Sequence, residues 1–404
     1  MTKWLISIVL AAVLVIIPLG PAVTRAQAGI TLIDSSAQIA FPSALAFNVK
    51  AESRNNIVKL RLHYQVDRMN FAQVTEEAWP VFSPSTQVQA QWVWDMRKSN
   101  LPVGTTVEYW WTIEDSTGDV LTTPMQKVRF EDIRYNWKKI TSGQITLLWY
   151  SGDQSFGDQL MAGCQQALDK LFQETGVRLE QPVSIYVYAS SADLRGATIF
   201  PQEWLGGFTY AEFGVIAIAV STNELALGKR NIAHELGHMV THQITYSPYG
   251  AIIPFWLDEG LATYVEGKLD PYLQYILQQA INQHNLISVR SLASPFSAIP
   301  QEAYLSYAES ESIVEFLINK YGGDKIISLL HLFKEGNTYD DALMQVYGFD
   351  EDGLDILWQQ YLAGPATSQF KANYETVGMS VSQNSLWNVL NTKLLTAKIL
   401  LEAD

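Results

Sequence analysis

The stretch Asn231-Ile-Ala-His-Glu-Leu-Gly-His-Met-Val240 constrains this chain more than any other. His234 and His238 are four residues apart, so in a helix they share one face, about one turn apart. Two neutral imidazoles so placed can grip one Zn²⁺ at ~2.0–2.1 Å each. Glu235 follows the first histidine and projects beside the ion rather than onto it. A general base must stand there to take a proton from zinc-bound water. Ile232, Ala233, Leu236, Met239 and Val240 make the helix largely apolar. Burying two histidines and a glutamate in such a helix is costly unless something pairs them, and a metal does that.

A catalytic zinc needs a third protein ligand and an open position. The segment Pro254-Phe-Trp-Leu-Asp-Glu-Gly-Leu-Ala-Thr-Tyr264 supplies Glu259, 21 residues after His238. That interval holds a loop and a second helix, with Trp256, Leu257, Leu261, Ala262 and Val265 as the packing face. Gly260 and Ala262 allow close approach. Three other residues compete for the ligand role. His242 lies ~12 Å along a straight helix from His234, too far for one ion to bridge. It reads as an outer or groove-lining residue. Asp258 points about 100° away from Glu259 and is placed to hydrogen-bond a ligand histidine. Glu266 shares the Glu259 face two turns on and reads as a solvated acid at the helix end.

His234-Glu235-Leu-Gly-His238 followed by Trp256-Leu-Asp-Glu259-Gly-Leu-Ala262 resembles the gluzincin pattern, and in particular the peptidase MA-like family. The resemblance runs from roughly Leu147 to Tyr361 and is strong at the two motifs. It implies a zinc-dependent peptide hydrolase with a compact sheet-and-helix catalytic domain. By position, His234, His238 and Glu259 are the ligands and Glu235 the base. The family tends to carry a Tyr-Ala-x-Ser segment opening a later helix, here Tyr307-Ala-Glu-Ser310. A hydroxyl of Tyr307 facing the zinc would stabilise an oxyanion. Tyr304 is the spare candidate. His331, among Leu329, Leu330 and Leu332, reads as a core histidine. The aminopeptidase branch holds a substrate amine with an upstream Gly-x-Met-Glu-Asn segment, and the chain has none. Gly214–Ala219 occupies that region without an acid, its edge open to a substrate strand. This favours an endopeptidase.

The remaining chain frames this domain. Residues 29–136 alternate apolar and polar positions in short runs (Val58–Tyr64, Val107–Ile113, Val128–Phe130) parted by turns such as Asp115-Ser-Thr-Gly118. That spacing suggests a small all-β, immunoglobulin-like sandwich, fit to contact the cell surface. His63 lies within one such run and reads as structural. Residues 137–364 form the metallopeptidase domain, giving an α+β fold. Residues 365–404 are a tail, weakly amphipathic from Leu386 to Leu401. The single cysteine, Cys164, sits in an apolar-periodic stretch and reads as a small buried side chain. The net charge of −14 is spread out, without a Lys/Arg-rich run, which sets nucleic acid aside.

Two rival functions share these residues. One is a non-catalytic surface binding protein with a relic zinc site, and the other a zinc hydrolase of non-peptide amide bonds. The N-terminus directs the chain out of the cytoplasm. Lys3, the apolar run Trp4–Leu19 and Ala26-Gln27-Ala28 form a signal peptide over residues 1–28, with retention as a membrane anchor the alternative. The run is short for a span needing roughly twenty residues. The exported protein should therefore begin at Gly29, which intact-protein mass spectrometry checks; a retained leader would make it membrane-anchored.

Overall fold

A computed structural model describes residues 29–199, 207–248, 250–297 and 299–364. The signal segment 1–28 and the tail 365–404 lie outside the described residues. No helix among those described is long and apolar enough to cross a membrane.

The N-terminal region is all β. It comprises β1 (Ile30–Ala40), β2 (Ala44–Val66), β3 (Glu76–Ala78), β4 (Ser85–Asp95), β5 (Thr105–Asp115), β6 (Val120–Thr122) and β7 (Gln126–Phe130). The 23-residue β2 organises it. Its first half pairs antiparallel with β1 and β4, its second half with β3 and β5. Leu45, Phe47, Val49, Ala51 and Ile57 point inward, then Leu60, Leu62 and Tyr64. The inward phase changes by one residue where the β2–β5 register shifts between Ile57 and Lys59. Such an irregularity re-aims a strand, so both halves feed one core with Trp94, Trp111 and Phe130. His63 is structural as expected. It bonds Thr112 at 2.8 Å and stacks on Trp110.

The second sheet contains β8 (Lys138–Ser142), β9 (Ile145–Trp149), β10 (Val183–Tyr188), β11 (Gly207–Tyr210) and β12 (Val215–Ala219), in the order β11-β12-β10-β9-β8. β9, β10 and β12 are parallel, and the outer strands β8 and β11 run antiparallel to their neighbours. The inner strands are buried on both faces, so they read as near-continuous apolar runs. Ile185, Val187, Ile216 and Ile218 meet the helices, while Tyr186, Tyr188, Phe208 and Ala217 face Val103 of the N-terminal region. Gly214–Ala219, expected from the sequence to present an open edge, does not. β12 has neighbours on both sides, and β11 is the edge.

The helices are α1 (Gln154–Thr175), α2 (Ser191–Arg195), α3 (Leu225–Thr245), α4 (Phe255–Val265), α5 (Pro271–Gln283), α6 (Val289–Leu292), α7 (Pro300–Tyr321), α8 (Asp324–Lys334), α9 (Tyr339–Tyr347) and α10 (Glu351–Ala363). Cys164 is fully buried in their core. His331 is exposed, against expectation. In α8 the residues Ile326, Leu329, Leu330 and Phe333 face inward at helical spacing, which turns position 331 outward. The Tyr307–Ser310 segment lies inside α7 rather than opening it, because Pro300 sets the first turn.

α3, α4 and α7 pack through glycines. A Cβ on Gly237 would stand 2.6 Å from the Ala262 Cα, and one on Gly260 would stand 2.5 Å from the Ser310 carbonyl oxygen. Alanine gains ~1 kcal/mol of helix propensity over glycine, yet overpacking against backbone costs about 1–3 kcal/mol. Gly237→Ala and Gly260→Ala should each lower the thermal midpoint, by ~2–4 °C per kcal/mol lost. Unchanged midpoints in both would contradict this packing.

Candidate active site

α3 carries His234, Glu235 and His238, all buried, and α4 brings Glu259 against them. The Nε2 atoms of His234 and His238 are 3.2 Å apart. Glu259 Oε2 lies 3.4 Å from the first and 3.5 Å from the second. Each histidine uses its other ring nitrogen elsewhere. His234 Nδ1 meets Glu266 Oε1 at 2.9 Å, and His238 Nδ1 meets Asp258 Oδ1 at 3.0 Å. A carboxylate only accepts, so each Nδ1 carries the proton and donates. In the neutral rings both Nε2 atoms then present lone pairs to one another and to a carboxylate oxygen.

With both rings neutral, as metal binding requires, three electron-pair donors converge in a buried space with no proton between them. Neither oxygen of Glu259 has a hydrogen-bond partner among the described residues. Ligands held ~2.0–2.1 Å from a tetrahedral ion lie ~3.3–3.4 Å apart, close to all three sides of this triangle. The residues present fit a zinc ion. Burial works against charge on His238, but Asp258 and Glu259 more than offset it and raise its pKa well above the ordinary value. Burial likewise opposes ionisation of Glu259, and the two histidines outweigh it and hold its carboxyl below the usual range.

The supporting residues differ in part from expectation. Asp258 stands where the spacing put it, between His238 and His242, whose Nε2 lies 3.1 Å from Asp258 Oδ2. His242 is therefore outside the triangle. Glu266 is the correction. Its side chain is 1% exposed rather than solvated, bonds His234, and is paired with Arg230 at 3.0 Å. α4 ends at Val265, and its last turn packs back on α3, which carries Glu266 inward. Its place on the Glu259 face was the available signal.

Thr209 was missed altogether. Its hydroxyl donates to Glu235 Oε2 at 2.7 Å. On the same strand, a Cβ at Gly207 would come within 3.1 Å of Glu235 Oε1. The edge strand β11 therefore lies directly along the Glu235 carboxylate. Burial pushes that carboxyl above its ordinary range, against the pull of the histidines. Tyr307 is fully buried, with its ring 6.5 Å from that of His234. Burial, with Glu259, Glu235 and Glu266 around it, raises its phenol well above the ordinary value, so it remains a donor. Tyr304 packs instead against Tyr272 and Leu273.

Partners that orient a ligand histidine are typically worth 10–100-fold in metal affinity. Glu266→Ala should weaken zinc binding by about that factor in competition with a chelator, and Glu259→Ala should lose most of the ion. Wild-type affinity in Glu266→Ala would contradict the role assigned to the Glu266–His234 contact.

No curated protein sequence matches the chain. Among solved structures it is similar to aminopeptidase A of Legionella pneumophila, at 9% identity over 82% of this chain and 49% of that one, with a TM-score of 0.34. The chain thus spans about half the length of that enzyme. It is also similar to an aminopeptidase N family protein from Idiomarina loihiensis, at 13% identity over 84% and 75% of the two chains, with a TM-score of 0.33. The family model for the peptidase MA superfamily matches residues 163–364, half of the chain and all of the site just described, and the chain belongs to that superfamily.

Proposed function

We propose that this protein is an exported zinc-dependent endopeptidase, with His234, His238 and Glu259 holding the ion and Glu235 acting as general base. The observation that carries the reading is the buried triangle of two imidazole nitrogens and a carboxylate oxygen, beside a carboxylate held on an edge strand. Zinc bound there would supply the Lewis acidity that polarises a peptide carbonyl and acidifies water.

The chain's own residues do the rest. Glu235 takes the proton of the attacking water and passes it to the leaving nitrogen. Thr209 fixes the rotation of that carboxylate through its hydroxyl. Tyr307 donates to the oxyanion that forms on the carbonyl. β11 pairs with β12 alone among the described strands, so its outer edge can take the main chain of a substrate. Cleavage within a chain rests on the lack of a Gly-x-Met-Glu-Asn segment in the sequence. Export rests on the N-terminal signal pattern.

Glu235→Gln keeps the ligands and removes the base. Activity in a peptide-cleavage screen should fall at least ~10²–10⁴-fold while zinc content and thermal stability stay near wild type. Near-wild-type turnover by Glu235→Gln would overturn the mechanism. Thr209→Val removes one hydroxyl at constant shape and should lower kcat with KM little changed. Thr209→Ser should restore kcat, and equal losses in both would show Thr209 to be merely structural. Tyr307→Phe should cost about 10²–10³ in kcat, as loss of an oxyanion donor does.

A further inference from the structure

The residues His234, His238, His242 and Tyr246 follow one another at four-residue intervals along one face of α3 and its C-terminal cap. Exposure rises along this face. The side chains of His234 and His238 are 1% and 0% exposed, His242 is 22% exposed, and Tyr246 is half-buried at the surface. The face therefore opens to solvent toward Tyr246.

That opening is built jointly with the N-terminal region. The loop after β2 crosses it at Met69. The Met69 N–H donates to the Glu212 carbonyl at 2.6 Å, in the 3-10 turn Ala211–Phe213 that continues β11. The Met69 carbonyl accepts from the Tyr246 hydroxyl at 2.6 Å. One residue thus ties the end of the edge strand to the end of the histidine face. Two residues on, Phe71 stacks on Tyr246, with ring centroids 4.8 Å apart and planes at 8°. Phe71 is nonetheless 57% exposed, so most of its ring remains open. An exposed aromatic held in place by a stack is a ready contact for another apolar side chain.

Tyr246 lies eight residues beyond His238, about 12 Å along the helix. An extended chain covers that span in three to four residues at ~3.3 Å each. We propose that the Phe71–Tyr246 stack is a subsite for a large apolar or aromatic side chain, three to four residues from the scissile bond. The substrate class is then an extended polypeptide, lying along β11 and leaving over the loop of the N-terminal region. This rests on the endopeptidase reading above. The opposite reading of the same loop is a wall that stops the chain there, which would confine the enzyme to short peptides.

The test uses the zinc-loaded protein and a nested peptide series, extended residue by residue on either side of a cleaved bond. Each member carries Phe or Ser at the third or fourth position from that bond. Wild type should favour Phe over Ser about three- to tenfold in kcat/KM, on one side only, the range an aromatic contact supplies. Phe71→Ser should abolish that preference, and Phe71→Tyr should keep it. The same ratio should appear in the Kd of the Phe and Ser peptides for the Glu235→Gln protein, which reads binding without turnover. Cleavage without any such preference, or with a preference that survives in Phe71→Ser, overturns the subsite alone. Loss of activity once peptides extend beyond two residues on each side supports the wall and overturns it too. No cleavage of any member overturns the endopeptidase reading along with it.

Discussion

The arrangement turns on two imidazole nitrogens and one carboxylate oxygen held about 3.2–3.5 Å apart on side chains that are almost fully buried. Two lone pairs and a negative charge in an apolar interior repel one another and lack solvation. Their outer partners, Glu266 and Asp258, prevent relief by ring rotation or tautomer change, because each Nδ1 is already committed as a donor. A cation at the centre would reconcile the three, as proposed above. The apolar helix, the buried acids and the close glycine contacts between α3, α4 and α7 then follow as conditions for keeping that centre rigid.

The same helix coordinates the rest of the site. Glu235 emerges beside the two histidines and meets Thr209, so the edge strand and the proposed base share one contact. β11 continues into the 3-10 turn at Glu212, which Met69 joins to Tyr246 at the far end of α3. The N-terminal β region is thus tied into the border of the site as well as to the back of the sheet. There Tyr188 and Tyr186 donate to Asp132 and Glu131. Polar groups at such a junction are satisfied across it, which favours one fixed geometry over hinged motion.

What the sequence disclosed follows from how local each signal is. His234, Glu235 and His238 are set by helical spacing, and Glu259 by a second helix of the right composition, so these four residues and Asp258 could be found without a fold. The β-rich N-terminal region and the α+β domain were legible through periodicity. Strand order was not, because nothing in Val215–Ala219 reveals that β11 covers its edge. Thr209 was invisible for the same reason, since its meaning depends on a strand meeting a helix 26 residues later. Glu266 was misread because a position past a helix end is exposed only if the helix does not turn inward there. His331 was misread from its leucine neighbours, although the spacing of Ile326, Leu329, Leu330 and Phe333 already turned it outward.

Crystals of residues 29–404 grown with zinc, measured on both sides of the zinc absorption edge, test the central claim most directly. The account predicts one strong anomalous peak per chain, ~2.0–2.1 Å from His234 Nε2, His238 Nε2 and a carboxylate oxygen of Glu259. A peak held instead by His242 and Asp258, or a zinc-soaked crystal with hydrogen bonds filling the triangle and no peak there, would contradict it.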